Sequence, residues 1–183
     1  MAENGLLVLV VGASGVGKDT LLDAARASLE GDRAFAFVRR EITRPADAGG
    51  EDHDPVDWET FKARREAGAY ALHWEAHGLG YGVPIAIDAA LAQGKRVVVN
   101  ASRAIVDAAR ARFKHVRVVN VTAPADVLAV RLAGRGRETE AEIAARLARA
   151  GEGRVAGADV IEVANGSTIA EGVAHFLDAL RRD

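Results

Sequence analysis

The chain predicts an α/β fold in three layers, a five-stranded parallel sheet with helices on both faces. Runs of apolar, β-branched residues alternate with stretches of helical period along the chain, the pattern of strand–helix–strand units. A length of 183 residues suits one such domain, able to bury about 70% of its unfolded surface. With no cysteine, the core must hold the fold without disulfides or cysteine-bound metal, and thiol chemistry is excluded.

Taken in order, the continuous apolar run at 6–11 reads as a central strand. Six residues are too few to span a membrane, and Glu3 and Asn4 stand where a leader would carry basic residues. Leu21, Leu22 and Ala25 mark a helix over 18–29. A second strand is expected around 35–41, then helices over 58–67 and 84–92, a strand at 96–100 and a helix over 102–113. The rest reads as a strand at 116–121, helices over 124–132 and 140–150, a strand at 160–163 and a helix over 168–180. Two stretches break this rhythm. Residues 44–56 are rich in Pro, Gly and acids, and residues 68–82 set Gly and Tyr around Trp74, His73 and His77. Both read as loops or small inserted elements where a second substrate sits. No repeat or linker divides the chain, which reads as a single domain over 1–183.

Between the first strand and first helix stand Gly12, Ala13, Ser14, Gly15, Val16, Gly17, Lys18, Asp19 and Thr20. Glycines at this spacing let successive N–H groups converge on phosphate oxygens, the following helix adds its positive end, and Lys18 reaches the terminal phosphates. The fold expected is therefore that of P-loop NTPases, with a nucleoside triphosphate as ligand. The position after the lysine, where a hydroxyl usually meets Mg2+, carries Asp19, with Thr20 next; both are candidate metal ligands, and helix capping is the competing role of Asp19.

Arg131, Arg135, Arg137, Arg146 and Arg149 fall in the stretch 131–149, with a Thr139-x-x-Glu142 capping box opening the helix that carries the last two. Gly136 between Arg135 and Arg137 gives the segment freedom to close, so 131–150 reads as a lid. Phosphoryl transfer spreads negative charge over the moving group, and arginines brought in by closure neutralise it and exclude water. Lys18, Arg135 and Arg146 are the catalytic candidates. Arg131 and Arg135 are assigned to the nucleotide, Arg137 and Arg146 to the acceptor.

A net charge of −2, from 24 basic and 26 acidic residues, argues against nucleic-acid and membrane partners. His73 and His77 with Glu75 between them have a spacing met in zinc sites, but Gly78 and Gly80 argue against the helix that would align them. Asn100, Ser102 and Arg103 follow a strand at its carboxyl end, where open α/β sheets bind ligands.

The phosphate loop, Thr43-Arg44-Pro45, Tyr81-Gly82, Arg131-Leu132 and Ala164-Asn165-Gly166 together resemble the guanylate kinase family over nearly the whole chain. Three positions depart from it. Ala46 and Asp47 stand where that family has a second phosphate-gripping arginine, Val83 replaces a hydroxyl residue, and the guanine-reading acids fall near Leu72 or His73 and at Asn100. The segment Trp74-Glu75-Ala76-His77-Gly78-Leu79-Gly80-Tyr81-Gly82, the Asn100-Ala101-Ser102-Arg103 motif and the Gly17-Lys18-Asp19 order are similar to the ribose 1,5-bisphosphate phosphokinases of phosphonate degradation. That resemblance implies a cytoplasmic kinase that moves a phosphoryl group from ATP to ribose 1,5-bisphosphate, giving 5-phosphoribosyl 1-diphosphate. The acceptor region is about 39–83, and a small doubly phosphorylated sugar needs the cationic and hydroxyl partners that Arg44, Arg103, His77 and Tyr81 supply. A nucleoside monophosphate kinase and a non-catalytic binding module on the same scaffold stay open, as does a homodimer.

Overall fold

In the computed structural model, residues 5–48, 51–134 and 155–182 are described. The chain forms two compact units, one of Met1–Leu9, Gly31–Val99 and Ala104–Val116, the other of Val10–Glu30, Asn100–Arg103 and Arg117–Asp183.

Five strands make the first sheet: β1 (Leu6–Gly12), β2 (Phe35–Phe37), β7 (Arg96–Asn100), β8 (Val116–Thr122) and β9 (Val160–Ala164). Their order is β2-β7-β1-β8-β9, with β2 parallel to β7 and β8 parallel to β9. Leu7, Val8, Leu9, Val10 and Val11 are all fully buried, which accounts for the unbroken apolar run: a central parallel strand is covered on both faces and needs no alternation. The described helices of the second unit are α1 (Lys18–Ser28), α5 (Ala125–Ala133) and α6 (Ile169–Arg181). A capping box starts α6, the Thr168 hydroxyl accepting from the Glu171 amide while the Glu171 carboxylate accepts from the Thr168 amide.

The first unit carries a second sheet, of order β4-β3-β6-β5, from β3 (Glu41–Ile42), β4 (Asp54–Pro55), β5 (Tyr70–Ala76) and β6 (Leu79–Pro84). The stretch 68–82 is thus a small inserted element with regular structure, an antiparallel hairpin pairing Trp74 with Tyr81 and Ala76 with Leu79. Its turn is His77-Gly78, with φ of 53° and 73°, the doubly positive geometry that matches strand twist in two-residue hairpins. Leu72 and Trp74 face inward while His73 and Glu75 are exposed, an alternation of period two. The expected strand at 35–41 divides. Its last ladder bond in the first sheet is Val38 N–H to the Val98 carbonyl, 3.0 Å, after which Arg39 and Arg40 carry the chain to β3 in the other sheet.

The described helices of the first unit are α2 (Trp58–Glu66), α3 (Ile87–Ala92) and α4 (Val106–Arg112). α3 starts later than its apolar pattern suggests because Pro84 pairs with Tyr70 in the hairpin, and α4 follows a 3-10 turn, Arg103–Ile105. The helix expected over 140–150 lies outside the described residues. Phe61 of α2 is fully buried, edge-on to Trp58 at 5.7 Å and tilted against Tyr70 at 5.4 Å, which seats the helix on the hairpin. No described helix is long and apolar enough to cross a membrane.

Asp57 caps α2, its carboxylate accepting from the Thr60 amide at 2.6 Å. That bond holds the Asp57 carboxyl below its usual range. A carboxylate depressed in the folded state stabilises above its unfolded pKa and ceases to as pH falls through the folded value. Asp57→Ala is therefore expected to lower Tm at neutral pH. The gap to the parent closes as pH is taken below about 4; a gap independent of pH would remove the cap from the account.

Candidate active site

In the second unit, β1 ends at Gly12 and α1 begins at Lys18. Gly17 has φ of 91°, and a Cβ there would lie 2.6 Å from the Asn165 amide nitrogen, so no other residue fits without displacing its neighbour. Gly12 approaches equally closely, a Cβ meeting the Val121 carbonyl at 2.4 Å. Lys18 Nζ donates to the Gly12 carbonyl at 2.9 Å and to that of Ala13 at 3.4 Å, which holds the ammonium across the mouth of the loop. The Val16 carbonyl accepts from Asn165 at 2.7 Å and from Arg131 at 3.3 Å. Asn165 is itself tied to β8, its amide donating to the Thr122 carbonyl at 2.7 Å. With that carbonyl turned to its own support, the loop leaves N–H groups and the N-terminus of an eleven-residue helix for an anion.

Among the described residues no side chain caps α1. Asp19 lies in its first turn and accepts from the Asn100 amide at 3.1 Å, an interaction that orients the carboxylate instead. Asn100, Ser102 and Arg103 belong to the same unit as the loop, with Ser102 and Arg103 half-buried beyond the end of β7. Thr20 is exposed beside Asp19. Arg135, Arg137, Arg146 and Arg149 lie outside the described residues.

The first unit gathers a different set. The Thr43 amide donates to the Gly80 carbonyl at 3.0 Å and its hydroxyl accepts from the Gly80 amide at 2.8 Å, extending the pairing of β3 with β6 to the residue before Arg44. Arg44 is half-buried, its Nη2 3.4 Å from His53 Nδ1, and its Nε–H is buried with no hydrogen-bond partner among the described residues. An unmet buried donor costs about 1–3 kcal/mol, and a phosphate oxygen is the chemistry that would satisfy it. Arg40, 6% exposed, makes a two-pronged pair with Glu51, Nε to Oε1 at 2.8 Å. Its guanidinium lies over both Trp74 (5.2 Å) and Tyr81 (5.0 Å), whose rings stack at 5.1 Å. The Tyr81 ring is thereby a platform for Arg40. His77 is exposed at the hairpin turn.

Glu41 accepts from both Arg64 and the Tyr70 hydroxyl, the latter at 2.5 Å. Burial, with the Glu41 bond second, pushes the Tyr70 phenol above its usual range, so it remains a donor at every physiological pH. Arg39 bridges Asp52 and Asp54 at 3.1 Å each and donates to the His53 carbonyl at 3.0 Å. Sequence reasoning missed Arg40, Glu51, His53, Glu41 and the support given by Asn165. The available signal was charge pattern: the pair Arg39-Arg40 followed by the acid-rich run Glu51-Asp52-His53-Asp54, too balanced to be a solvated patch of one sign.

The AAA domain family matches residues 8–170. Ribose 1,5-bisphosphate phosphokinase PhnN of Rhizobium etli is 48% identical over 171 residues, covering 93% of this chain and 86% of that protein. The same-named protein of Brucella melitensis is 46% identical, with 96% and 92% covered. The chain belongs to the ribose 1,5-bisphosphate phosphokinase family. Longer relatives also match: this phosphokinase-family chain spans 30% of the bifunctional ribose 1,5-bisphosphokinase-thymidine phosphorylase of Cupriavidus necator, at 45% identity over 181 residues. The guanylate kinase of Anaplasma phagocytophilum superposes with a TM-score of 0.69 at 20% identity, covering 98% of this phosphokinase-family chain and 86% of its own, which shows a shared fold. The loop of the second unit is accordingly the phosphate loop of a nucleotide-binding kinase fold.

Proposed function

We propose that the protein transfers the γ-phosphoryl group of ATP to the 1-phosphate of ribose 1,5-bisphosphate, forming 5-phospho-α-D-ribose 1-diphosphate and ADP. The observation that carries this reading is 48% identity over 93% of the chain to a phosphokinase of that name. An oxygen of the 1-phosphate attacks the γ-phosphorus, and the bond from that phosphorus to the β–γ bridging oxygen breaks. The electron pair leaves on ADP. The attacking phosphate is ionised at neutral pH, so no general base is needed, and the work falls to positioning and charge neutralisation.

Lys18, now bonded to loop carbonyls, exchanges them for the β- and γ-phosphates, with the loop amides and the start of α1 holding the rest. Arg131 sits beside the loop and serves the nucleotide; Arg135 and Arg146 complete the charge neutralisation as the lid over 131–150 closes. Arg44 grips an acceptor phosphate, its buried Nε–H supplying the donor, while His77, Tyr81, Asn100, Ser102, Arg103 and Arg137 complete the sugar phosphate site. Mg2+, bound through the Asp19 carboxylate and Thr20 hydroxyl, would screen the phosphate charge. The residues fit: both are exposed in the first turn of α1, and Asp19 is oriented by Asn100 rather than committed to capping. A kinase of this type draws on the cytoplasmic ATP pool, so that location is part of the reading; a homodimer is left open.

The test is a panel of phosphorylated acceptors incubated with ATP and followed by 31P NMR. A new diphosphate resonance with ribose 1,5-bisphosphate is expected, and none from that acceptor would end the proposal. Asp19→Ala is expected to raise the Mg2+ concentration for half-maximal rate, with Asp19→Ser restoring part of the loss. An unchanged Mg2+ titration would take Asp19 out of metal binding.

A further inference from the structure

His53 is 4% exposed, yet it lies in a stretch of Pro, Gly and acids and makes no part of a hydrophobic core. Both ring nitrogens are engaged. Nε2 lies 3.0 Å from the Arg44 carbonyl, and Nδ1 lies 2.9 Å from the Glu51 carbonyl and 3.4 Å from Arg44 Nη2. The ring therefore touches Arg44 twice, at the main chain and at the guanidinium. Glu51 is fixed in turn by its two-pronged pair with Arg40, which rests on the stacked Trp74 and Tyr81 rings. A continuous chain of contacts runs from the hairpin through Arg40, Glu51 and His53 to Arg44, whose buried Nε–H has no partner among the described residues.

We propose that His53 is a positioning residue of the acceptor site: bound at once to the Arg44 carbonyl and beside the Arg44 guanidinium, it sets the direction in which Arg44 presents its unpaired Nε–H to an acceptor phosphate oxygen. This rests on the reading of the first unit as the sugar phosphate site. An arginine on a free loop has four side-chain torsions to order before it can meet an anion; one braced at backbone and tip meets it ready-placed. The Arg40–Glu51 pair stands one contact further back, and its part is to fix the Glu51 residue whose carbonyl lies 2.9 Å from Nδ1.

The experiment compares wild type, His53→Ala, His53→Gln, His53→Asn, Arg44→Ala and the double variant Arg44→Ala with His53→Ala, all in the full chain. Steady-state kinetics are measured against ribose 1,5-bisphosphate and against ATP, with circular dichroism and Tm as folding controls. His53→Ala is expected to raise the acceptor KM about tenfold, the scale of one lost charge-assisted hydrogen bond, while leaving the ATP KM unchanged. Glutamine puts an amide N–H near the Nε2 position and should restore most of the loss by keeping the bond to the Arg44 carbonyl. Asparagine reaches only the Nδ1 position and should not. On the Arg44→Ala background, His53→Ala should add less than about twofold, because a residue acting through Arg44 has nothing left to position.

Equal rises in both KM values, equal rescue by Gln and Asn, full additivity with Arg44→Ala, or loss of fold in all three His53 variants would each overturn the proposal and leave His53 a structural residue. Wild-type protein inactive on ribose 1,5-bisphosphate sinks the functional reading and this inference with it. Active wild type with an unmoved His53→Ala sinks the inference alone.

Discussion

Lys18→Ala is expected to lower kcat at least about a thousandfold while leaving far-UV circular dichroism and Tm close to those of the parent. The ammonium of this half-buried side chain donates to the carbonyls of Gly12 and Ala13 at the loop rather than packing as an apolar core group, so its removal costs the fold little. Its removal costs the reaction a great deal, because phosphoryl transfer has little covalent chemistry to assist and depends on charge placed beforehand around the moving group. In the proposed reaction the Lys18 ammonium leaves the Gly12 carbonyl for the γ-phosphate. Retention of most of the activity by the alanine variant would remove Lys18 from the transfer step.

Turnover of ribose 1,5-bisphosphate is expected to exceed that of GMP by at least about a hundredfold in kcat/KM. A site that reads guanine must hold hydrogen-bond partners for its edge, and a site without them loses discrimination on that scale or more. At the positions where guanylate kinases carry those groups, His73 is an exposed strand residue and Leu72 is buried, while Asn100 donates to Asp19. What the first unit offers is cationic: Arg44 with its unmet Nε–H, braced by His53. Arg44→Ala should then raise the KM for the sugar bisphosphate more than that for ATP, since the arginine belongs to the unit that lacks the phosphate loop. Comparable kcat/KM for GMP and ribose 1,5-bisphosphate would return the chain to the nucleotide kinases.

Much of this was legible before any coordinates. The five strands of the parallel sheet each announce themselves through a short apolar run, and the phosphate loop through three glycines and a lysine between such a run and a helix. The hairpin at Tyr70–Pro84 was harder to see, because Gly80, Gly82 and Tyr81 read as loop residues while the alternation of Leu72, His73, Trp74 and Glu75 covers only a few positions. His77-Gly78 was its sharpest signal: a two-residue turn of this type needs positive φ at both positions, and only the glycine adopts that without strain.

What the sequence by itself determined is local: the strands of the parallel sheet and the helices beside them among the described residues, the glycine-rich turn between β1 and α1, and that thiols play no part. Those follow from side-chain period, glycine geometry and composition, which act within a few residues of chain. What only the tertiary structure decided is which distant groups meet. Asn165 supports the Val16 carbonyl across 149 positions of chain, Tyr70 reaches Glu41 across 29, and Arg40 pairs with Glu51 while lying over the stacked Trp74 and Tyr81 rings. Such meetings depend on strand register and on the order of strands in a sheet, where a shift of one residue turns every side chain to the other face. In the sequence residues 44–56 read as a loop or small inserted element, and only the pairing of β3 with β4 and β6 shows Arg40, Glu51 and His53 gathered beside Arg44.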